Sequence, residues 1–207
     1  MDVNRLSRQL TKALRHDKNL PMIGDAYVDL NILRNRFRLE ECAIYNDFSN
    51  VQELIRYIVN IDYKSRFGVI CSDGKRKIGN LVPQDIVTYL RANQGHSVNV
   101  KISMDEIKEE DIKDSFLMIH GTNYEAWGKI KTEGLSKMGR DYIHFAQGLP
   151  GQVKSGMRKN SKVLIYIDVK KVLNDKIPIY KSSNGVLLCK GHNGILLPKY
   201  FSKVVKL

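Results

Sequence analysis

The chain has 207 residues, 43% of them hydrophobic, and a formal net charge of +12 with a pI near 9.6. This length suffices for one large domain or two small ones, and the charge favours a polyanionic partner, either nucleic acid or an acidic membrane surface. No apolar run is long enough to cross a bilayer and the first residues lack the apolar stretch of a secretory signal, so we expect a soluble protein without a membrane partner.

Three helices are predicted in the first third of the chain. Between residues 3 and 14, apolar residues recur at helical spacing, and most of the basic residues of the segment lie on the opposite side. Residues 32–37 and 51–60 are also predicted to be helical, the latter with Ser49 or Asn50 as its N-cap. The first helix is therefore expected to have a basic outer face.

A β-hairpin with a basic tip is predicted next. Two apolar runs, residues 66–70 and 78–82, flank the sequence Asp-Gly-Lys-Arg-Lys at residues 73–77. Short helices followed by such a hairpin are the layout of a winged helix, in which a helix and the hairpin meet a phosphate backbone. The alternative is an ordinary solvated basic face. The concentration of charge on helix faces and the hairpin tip favours nucleic-acid contact.

From about residue 98 the pattern changes to short β-rich runs separated by glycines. Strands are predicted at residues 116–119, 163–167, 185–188 and 194–197. Helices are predicted over residues 124–132, ending near Gly134, and over residues 169–173. The predicted fold class is α+β, with a change of architecture between residues 83 and 98.

The cysteines and histidines carry no pattern of a disulfide framework or a metal site. Cys42, Cys71 and Cys189 are odd in number and far apart, which favours a reducing, cytoplasmic setting. None of the five histidines belongs to a His-x-x-x-His or mixed Cys/His cluster. We therefore expect no metal.

The polar motif His120-Gly121-Thr122 directly follows one of the predicted strands. This position would put the histidine at a strand end, and the glycine would allow a flat ring to approach the backbone closely. Taken alone, the motif fits a histidine satisfied by loop hydrogen bonds equally well. Its weight comes from other motifs along the chain.

Those motifs are Leu-Arg-His at residues 14–16, Lys-Ser-Arg-Phe at 64–67, Arg-Ala-Asn-Gln-Gly-His-Ser at 91–97, Ser-Gly-Met-Arg at 155–158 and Ser-Ser-Asn-Gly-Val at 182–186. Together with His-Gly-Thr, and in this order, they closely resemble the tRNA 2′-phosphotransferase family over nearly the whole chain. Several independent motifs in sequence make a chance similarity improbable. The resemblance implies an N-terminal winged-helix RNA lobe, residues 1–90, and a C-terminal ADP-ribosyltransferase-like mixed α/β lobe, residues 91–207.

The resemblance also implies a reaction in two steps. An internal RNA 2′-phosphate attacks C1″ of the NAD⁺ ribose and expels nicotinamide, which leaves an ADP-ribosylated RNA. The ribose 2″-hydroxyl then attacks the same phosphorus and releases the RNA 2′-hydroxyl, with ADP-ribose 1″,2″-cyclic phosphate as the other product. NAD⁺ is thus the expected co-substrate and 2′-phosphorylated RNA, above all tRNA, the expected substrate.

By motif match, the catalytic residues of the family fall on Arg15, His16, Arg66 and Arg158. Arginine suits a phosphate clamp because its planar fork binds phosphate bidentately and stays charged. His16 is the titratable member, suited to proton transfer or phosphate contact in the second step. Taken singly, each position also fits a helix-end cation, a cap or a surface charge.

The resemblance implies NAD⁺-binding residues at His120, Gly121, Thr122, Arg140, His144, His96 and Ser97, the last two being candidates for contact with either the ribose or an RNA hydroxyl. His144 would be the second histidine of the family's His-His-apolar triad, with Ile195 or Leu196 as its third member. A carboxylate at that third place would repel the anionic acceptor. The family usually has a histidine two residues before His144, where this chain has Tyr142.

Two other functions fit the same residues. The clamp would accept other phosphates, so ADP-ribosyl transfer to a terminal phosphate of RNA or DNA is the first alternative. The second is a non-catalytic RNA-binding regulator that senses NAD⁺. Nothing in the sequence indicates an obligate protein partner.

Overall fold

A computed structural model describes residues 2–153, 155–157 and 160–207. The chain is mixed α/β and divides into two compact units, Met1–Ser103 and Met104–Leu207. Each unit contains its own cluster of buried apolar side chains. Within the described part of the chain, no helix is both long enough and apolar enough to cross a membrane. The division into an RNA-binding lobe and an NAD⁺-binding lobe stays a prediction.

The helices of the first unit are α1 (Val3–His16), α2 (Leu30–Phe37) and α3 (Val51–Ile61), with short 3₁₀ segments at Leu39–Glu41 and Ala43–Asp47. Each α-helix begins at a side-chain cap, because Asp2, Asp29 and Asn50 accept hydrogen bonds from the first-turn backbone. The three predicted helices are confirmed. Of the two candidate caps for α3, the structure uses Asn50, which accepts from the Glu53 backbone at 3.0 Å.

The first unit has one antiparallel sheet. Its strands are β1 (Val28–Asp29), β2 (Phe67–Cys71), β3 (Arg76–Lys77) and β4 (Val87–Ala92). Their spatial order is β1-β4-β2-β3, so β4, which the sequence analysis did not predict, lies inside the sheet. Phe67 pairs with Ala92, which places the residues just before β2 beside those just after β4.

The prediction was wrong for the second strand of the hairpin. A strand was predicted at residues 78–82, but β3, the strand that pairs with β2 on this side, already ends at Lys77. Gly79 and Asn80 have φ values of 69° and 51°, and this left-handed backbone cannot continue an extended ladder. The next residue, Leu81, is held instead by the side-chain amide of Asn60, which donates to its carbonyl and accepts from its N–H at 2.8 Å each.

The apolar face predicted for α1 is confirmed. Leu6, Leu10 and Leu14 are fully buried in a cluster that also contains side chains of α3, β2 and β4. Burying each leucine side chain contributes about 2 kcal/mol relative to leaving it in water. The helix is therefore fixed on the sheet by this face, and its basic face remains outside.

The second unit has strands β5 (Asp105–Glu106), β6 (Ile119–Thr122), β7 (Leu135–Ser136), β8 (Ile143–Phe145), β9 (Val163–Ile167), β10 (Ile179–Lys181), β11 (Leu187–Cys189), β12 (Ile195–Leu196) and β13 (Phe201–Lys206). Its helices are α4 (Tyr124–Glu133) and α5 (Val169–Asn174), with 3₁₀ segments at Glu109–Asp111 and Pro198–Tyr200. The strands form antiparallel sheets in the orders β13-β9-β6, β5-β10-β11-β8 and β12-β7.

Both predicted helices of this unit are confirmed, and α4 ends at Glu133 with Gly134, whose φ is 89°, as its C-cap. A strand was predicted at residues 116–119, but β6 begins at Ile119 and overlaps that prediction by this one residue. His120, Gly121 and Thr122 therefore lie within a strand and not after one, since each pairs with a residue of β9. The position of β6 at the edge of its three-stranded sheet explains how a polar motif can form a strand. β11 also begins two residues later than predicted, after Gly185 in a left-handed turn.

Candidate active site

The first unit brings Arg15 and His16 together with Ser97. Both basic residues lie in the last turn of α1, and the backbone N–H of Ser97 donates to the Arg15 carbonyl at 3.0 Å. The Ser97 hydroxyl lies 2.9 Å from His16 Nδ1, so the two side chains share a hydrogen bond. This contact fixes the ring plane of an exposed histidine at a helix end.

The segment between β4 and Ser97 approaches α1 closely. At Gly95 the backbone is left-handed, with φ at 89°, and an added Cβ would lie 3.3 Å from Arg15 Nε. A side chain at this position would meet both the steric cost of positive φ and the Arg15 side chain. The glycine of the Arg-Ala-x-Gln-Gly-His-Ser motif therefore allows the loop to pack on the helix end.

Arg66 is held by Asp62, a residue that the sequence analysis missed. The Asp62 carboxylate, only 1% exposed, accepts from the Arg66 backbone N–H at 2.5 Å and from Nε at 2.8 Å. Arg66 Nη2 also donates to Ser7 Oγ of α1 at 3.3 Å, and the side chain is 24% exposed. The contacts of Nε with Asp62 and of Nη2 with Ser7 leave the guanidinium little rotational freedom. The signal in the sequence was an acid four residues before the arginine, just after a predicted helix.

Asn93 connects Arg66 with the loop that carries Ser97. Its backbone N–H donates to the Arg66 carbonyl at 2.7 Å, and its side-chain amide donates to the Ser65 carbonyl at 2.8 Å. These contacts follow from the pairing of β2 with β4. The elements that carry Arg15, His16 and Arg66 are thus tied to one short segment, residues 93–97.

His96 lies in this segment but is 3% exposed. Burial, followed by the charges of Arg15, His16 and Arg91, lowers its pKa from 6.5 to about 4. Among the described residues, its Nε2 has no hydrogen-bond partner. The structure therefore groups His96 and Ser97 with the predicted phosphate-binding residues of the first unit, as a neutral ring and a hydroxyl.

Arg91 begins the same motif and lies 6% exposed behind the segment. Its guanidinium stacks 4.8 Å from the Tyr27 ring and donates to the Asp25 carbonyl at 3.3 Å. The Asp25 carboxylate accepts from Arg76 and from the N–H and hydroxyl of Ser103. Arg91 is therefore engaged in a network that the sequence did not reveal.

In the second unit, His120 and His144 lie on neighbouring strands. His120 Nδ1 is 3.0 Å from the His144 carbonyl, and its ring meets the edge of Phe145 at 5.9 Å. Because a carbonyl can only accept, His120 Nδ1 carries the proton of this hydrogen bond. The backbone of one predicted site histidine thus orients the ring of the other.

Around this pair the backbone is tightly packed. A Cβ on Gly121 would lie 2.5 Å from Ser161 Oγ and even closer to Met157, and Thr122 lies half-buried beside it in β6. Arg140 is exposed in the turn after β7. Tyr142, which replaces the usual histidine, packs edge-on against Tyr180 at 5.9 Å. An aromatic ring at this position therefore has a protein partner.

The remaining predictions concern Arg158 and the third member of the triad. Arg158 lies outside the described residues. Of the two candidates for the third member, both on β12, Leu196 is fully buried and Ile195 is 37% exposed. The structure therefore leaves only Ile195 with substantial accessible surface.

Comparison with known proteins extends the motif match. A sequence model described as RNA 2′-phosphotransferase, Tpt1/KptA family, matches residues 2–191. The chain is 37% identical to tRNA 2′-phosphotransferase 1 of Danio rerio, covering 98% of this chain and 85% of the relative. It is 36% identical to the Mus musculus and 35% identical to the Homo sapiens protein of the same name, covering 98% of this chain in both cases and 77% and 76% of those relatives. The chain therefore belongs to the RNA 2′-phosphotransferase, Tpt1/KptA family.

Proposed function

We propose that this protein is an NAD⁺-dependent RNA 2′-phosphotransferase, which removes an internal 2′-phosphate from RNA, above all tRNA, through an ADP-ribosylated RNA. The observation that carries the proposal is the Arg15-His16 helix end held by Ser97, in a chain that the family matches over residues 2–191. The names of the relatives supply the substrate class.

In this proposal the first unit binds the RNA phosphate. Arg15 and Arg66, together with Arg158, supply fixed positive charge for the phosphate oxygens. Asp62 fixes the orientation of Arg66 before substrate binds, which lowers the entropic cost of forming the clamp. His16 is the exposed titratable group and exchanges the proton of the second step, whereas His96 stays neutral at physiological pH.

The second unit would hold NAD⁺, and its residues fit that group. The ring of His120 and the hydroxyl of Thr122 would contact the ligand from one edge strand, and Gly121 leaves room for the side chains of Met157 and Ser161 that pack against this strand. When bound there, NAD⁺ would supply an electrophilic anomeric carbon and nicotinamide as the leaving group. Arg140 would pair with the pyrophosphate, and His144 would support the ring of His120 through its carbonyl. We expect no metal to take part in this reaction.

The same proposal assigns the lobes. Three helices and an antiparallel sheet with a β2-β3 hairpin, all within Met1–Ser103, support a winged-helix RNA lobe in the first unit. Antiparallel sheets around the His120 strand, all within Met104–Leu207, support an ADP-ribosyltransferase-like lobe in the second unit. We expect the protein to act in the cytoplasm without an obligate protein partner.

The test uses a short RNA with one internal 2′-phosphate, incubated with NAD⁺. We expect RNA with a free 2′-hydroxyl, nicotinamide and ADP-ribose 1″,2″-cyclic phosphate, identified by mass spectrometry. A parallel reaction with a 5′-phosphorylated RNA and a 5′-phosphorylated DNA measures transfer to terminal phosphates. If the terminal phosphates react faster, the alternative activity replaces this proposal; if no substrate reacts while RNA still binds, the regulator replaces it.

A further inference from the structure

One side of α1 carries a continuous series of basic side chains. At 3.6 residues per turn, they fall within about 100° of the helix circumference. The series consists of Arg5, Arg8, Lys12, Arg15 and His16. It runs for about 16 Å along the helix, at 1.5 Å per residue, and it ends at the proposed catalytic pair.

The first three of these residues, Arg5, Arg8 and Lys12, are here called the α1 cationic stripe. All three side chains are exposed. Among the described residues, none of the ion pairs involves any of them. Their charge is therefore not neutralised by a carboxylate of the described chain.

The basic hairpin tip differs in this respect. Lys75 pairs with Asp73 at 2.7 Å, Arg76 with Asp25 at 2.6 Å, and Lys77 with Asp85 at 2.6 Å, three pairs in which every cation of the tip has an acidic partner. An ion pair cancels most of the field that a distant phosphate would experience. Although the hairpin is the richest basic motif in the sequence, it presents less uncompensated charge than α1.

We propose that the α1 cationic stripe binds the backbone phosphates of the single RNA strand that flanks the 2′-phosphate, and so leads that strand to Arg15 and His16. This inference rests on the proposed function. The stripe's side chains are long and exposed, as expected for contacts that hold the strand without reading its sequence. An anionic membrane is the less suitable partner, because a membrane-bound helix must insert an apolar face and that of α1 is buried in the core.

The salt dependence of RNA binding tests this surface. For single strands, the slope of log K against log salt concentration changes by about 0.7 for each phosphate contact. We would measure binding of a fluorescent 2′-phosphorylated oligonucleotide over a range of KCl concentrations without NAD⁺. Lys12→Ala is compared with Lys75→Ala, the same substitution at the ion-paired hairpin, and Arg8→Ala/Lys12→Ala extends the series. Alanine favours helix at exposed positions, so α1 should stay folded.

We expect the slope to become shallower by about 0.7 for Lys12→Ala and about 1.4 for the double variant, and to stay unchanged for Lys75→Ala. Equal slopes for Lys12→Ala and the parent, or an equal loss for Lys75→Ala, would overturn the inference. So would binding to phosphatidylserine vesicles that Lys12→Ala abolishes while the RNA slope is unchanged. Product formation by the parent from 2′-phosphorylated RNA and NAD⁺ is scored separately, so a failure of the stripe is distinguished from a failure of the proposed function.

Discussion

Asp62→Asn should impair catalysis by releasing Arg66. In the native protein both Asp62 oxygens accept hydrogen bonds from this arginine, one from the backbone N–H and one from Nε. Asparagine keeps the shape but has one acceptor oxygen, and its NH₂ group would face a donor. One of the two contacts is therefore lost, and the guanidinium can rotate away from the position that Asp62 defines.

The expected cost of Asp62→Asn follows from the burial of the Asp62–Arg66 pair. Losing one hydrogen bond to a charged group costs about 1.5–3 kcal/mol of folding free energy, and the 24% exposure of Arg66 lets water recover part of that. The catalytic cost should be larger, because a displacement of about 1 Å in a positioned group reduces the rate by about 10²-fold. We expect kcat to fall by about that factor, with a small change in KM for RNA.

Asp85→Asn is the matched control. Asp85 also accepts from a cation, Lys77, and from a backbone N–H, that of Val82, but it lies at the hairpin and outside the proposed site. Both variants should lose comparable stability in denaturant unfolding, whereas only Asp62→Asn should lose activity at a temperature where both are folded. The reasoning is refuted if folded Asp62→Asn keeps kcat within about 3-fold of the parent, or if Asp85→Asn loses as much.

Three further predictions concern single residues. His16→Ala should slow the second step more than the first, so a gel time course should show accumulated ADP-ribosylated RNA, absent for the exposed-site control His192→Ala; a time course without it contradicts the role of His16. Because the folded-state pKa of His96 is about 4 and its ordinary value is 6.5, the unfolded chain binds the extra proton between those pH values, and stability should fall as pH drops through this window. In denaturant unfolding, His96 should make the free energy of unfolding change by about 1.4 kcal/mol per pH unit within this window, and His96→Asn should remove this dependence. An equal slope of unfolding free energy against pH in the variant and the parent would count against the prediction. Gly156→Ala should destabilise by about 2 kcal/mol or more, since φ is 90° and the new Cβ would lie 2.6 Å from a carbonyl oxygen of β8; Gly128→Ala, which meets nothing within 4 Å inside α4, should stabilise slightly, and a reversed order in thermal melts would refute this packing argument.

The helices were predictable because each combines a regular apolar spacing with a local cap. The spacing around Leu10 and the cap at Asn50 are properties of a few consecutive residues, so no distant contact is needed to recognise them. The hairpin was less predictable because its second strand ends where Gly79 and Asn80 turn left-handed. That turn is stabilised by Asn60, which is distant in sequence, and no local pattern indicates such a contact.

The candidate site, like the fold, was predictable only where local motifs were sufficient. The motifs identified Arg15, His16 and Ser97 individually, and their proximity depends on a loop that returns to the end of α1. The burial of His96 could not be deduced from the sequence, since a histidine in a Gly-His-Ser motif reads as an exposed ligand group. Only packing determines that this ring is neutral, which supports His16 as the proposed proton-exchanging residue of this unit.

The net charge of +12 does not by itself locate the nucleic-acid surface. Where no hydrogen bond joins the two groups, a basic residue attracts a distant phosphate only to the extent that neighbouring carboxylates leave its field uncompensated. Arg91 and Arg76 share the Asp25 carboxylate and the Tyr27 ring, so their charge mainly stabilises the fold of the first unit. Lys12 has no such acidic neighbour among the described residues and projects from a helix whose other face is fully buried. The distribution of carboxylates, more than that of lysines and arginines, therefore supports α1 as the proposed RNA-binding side of this unit.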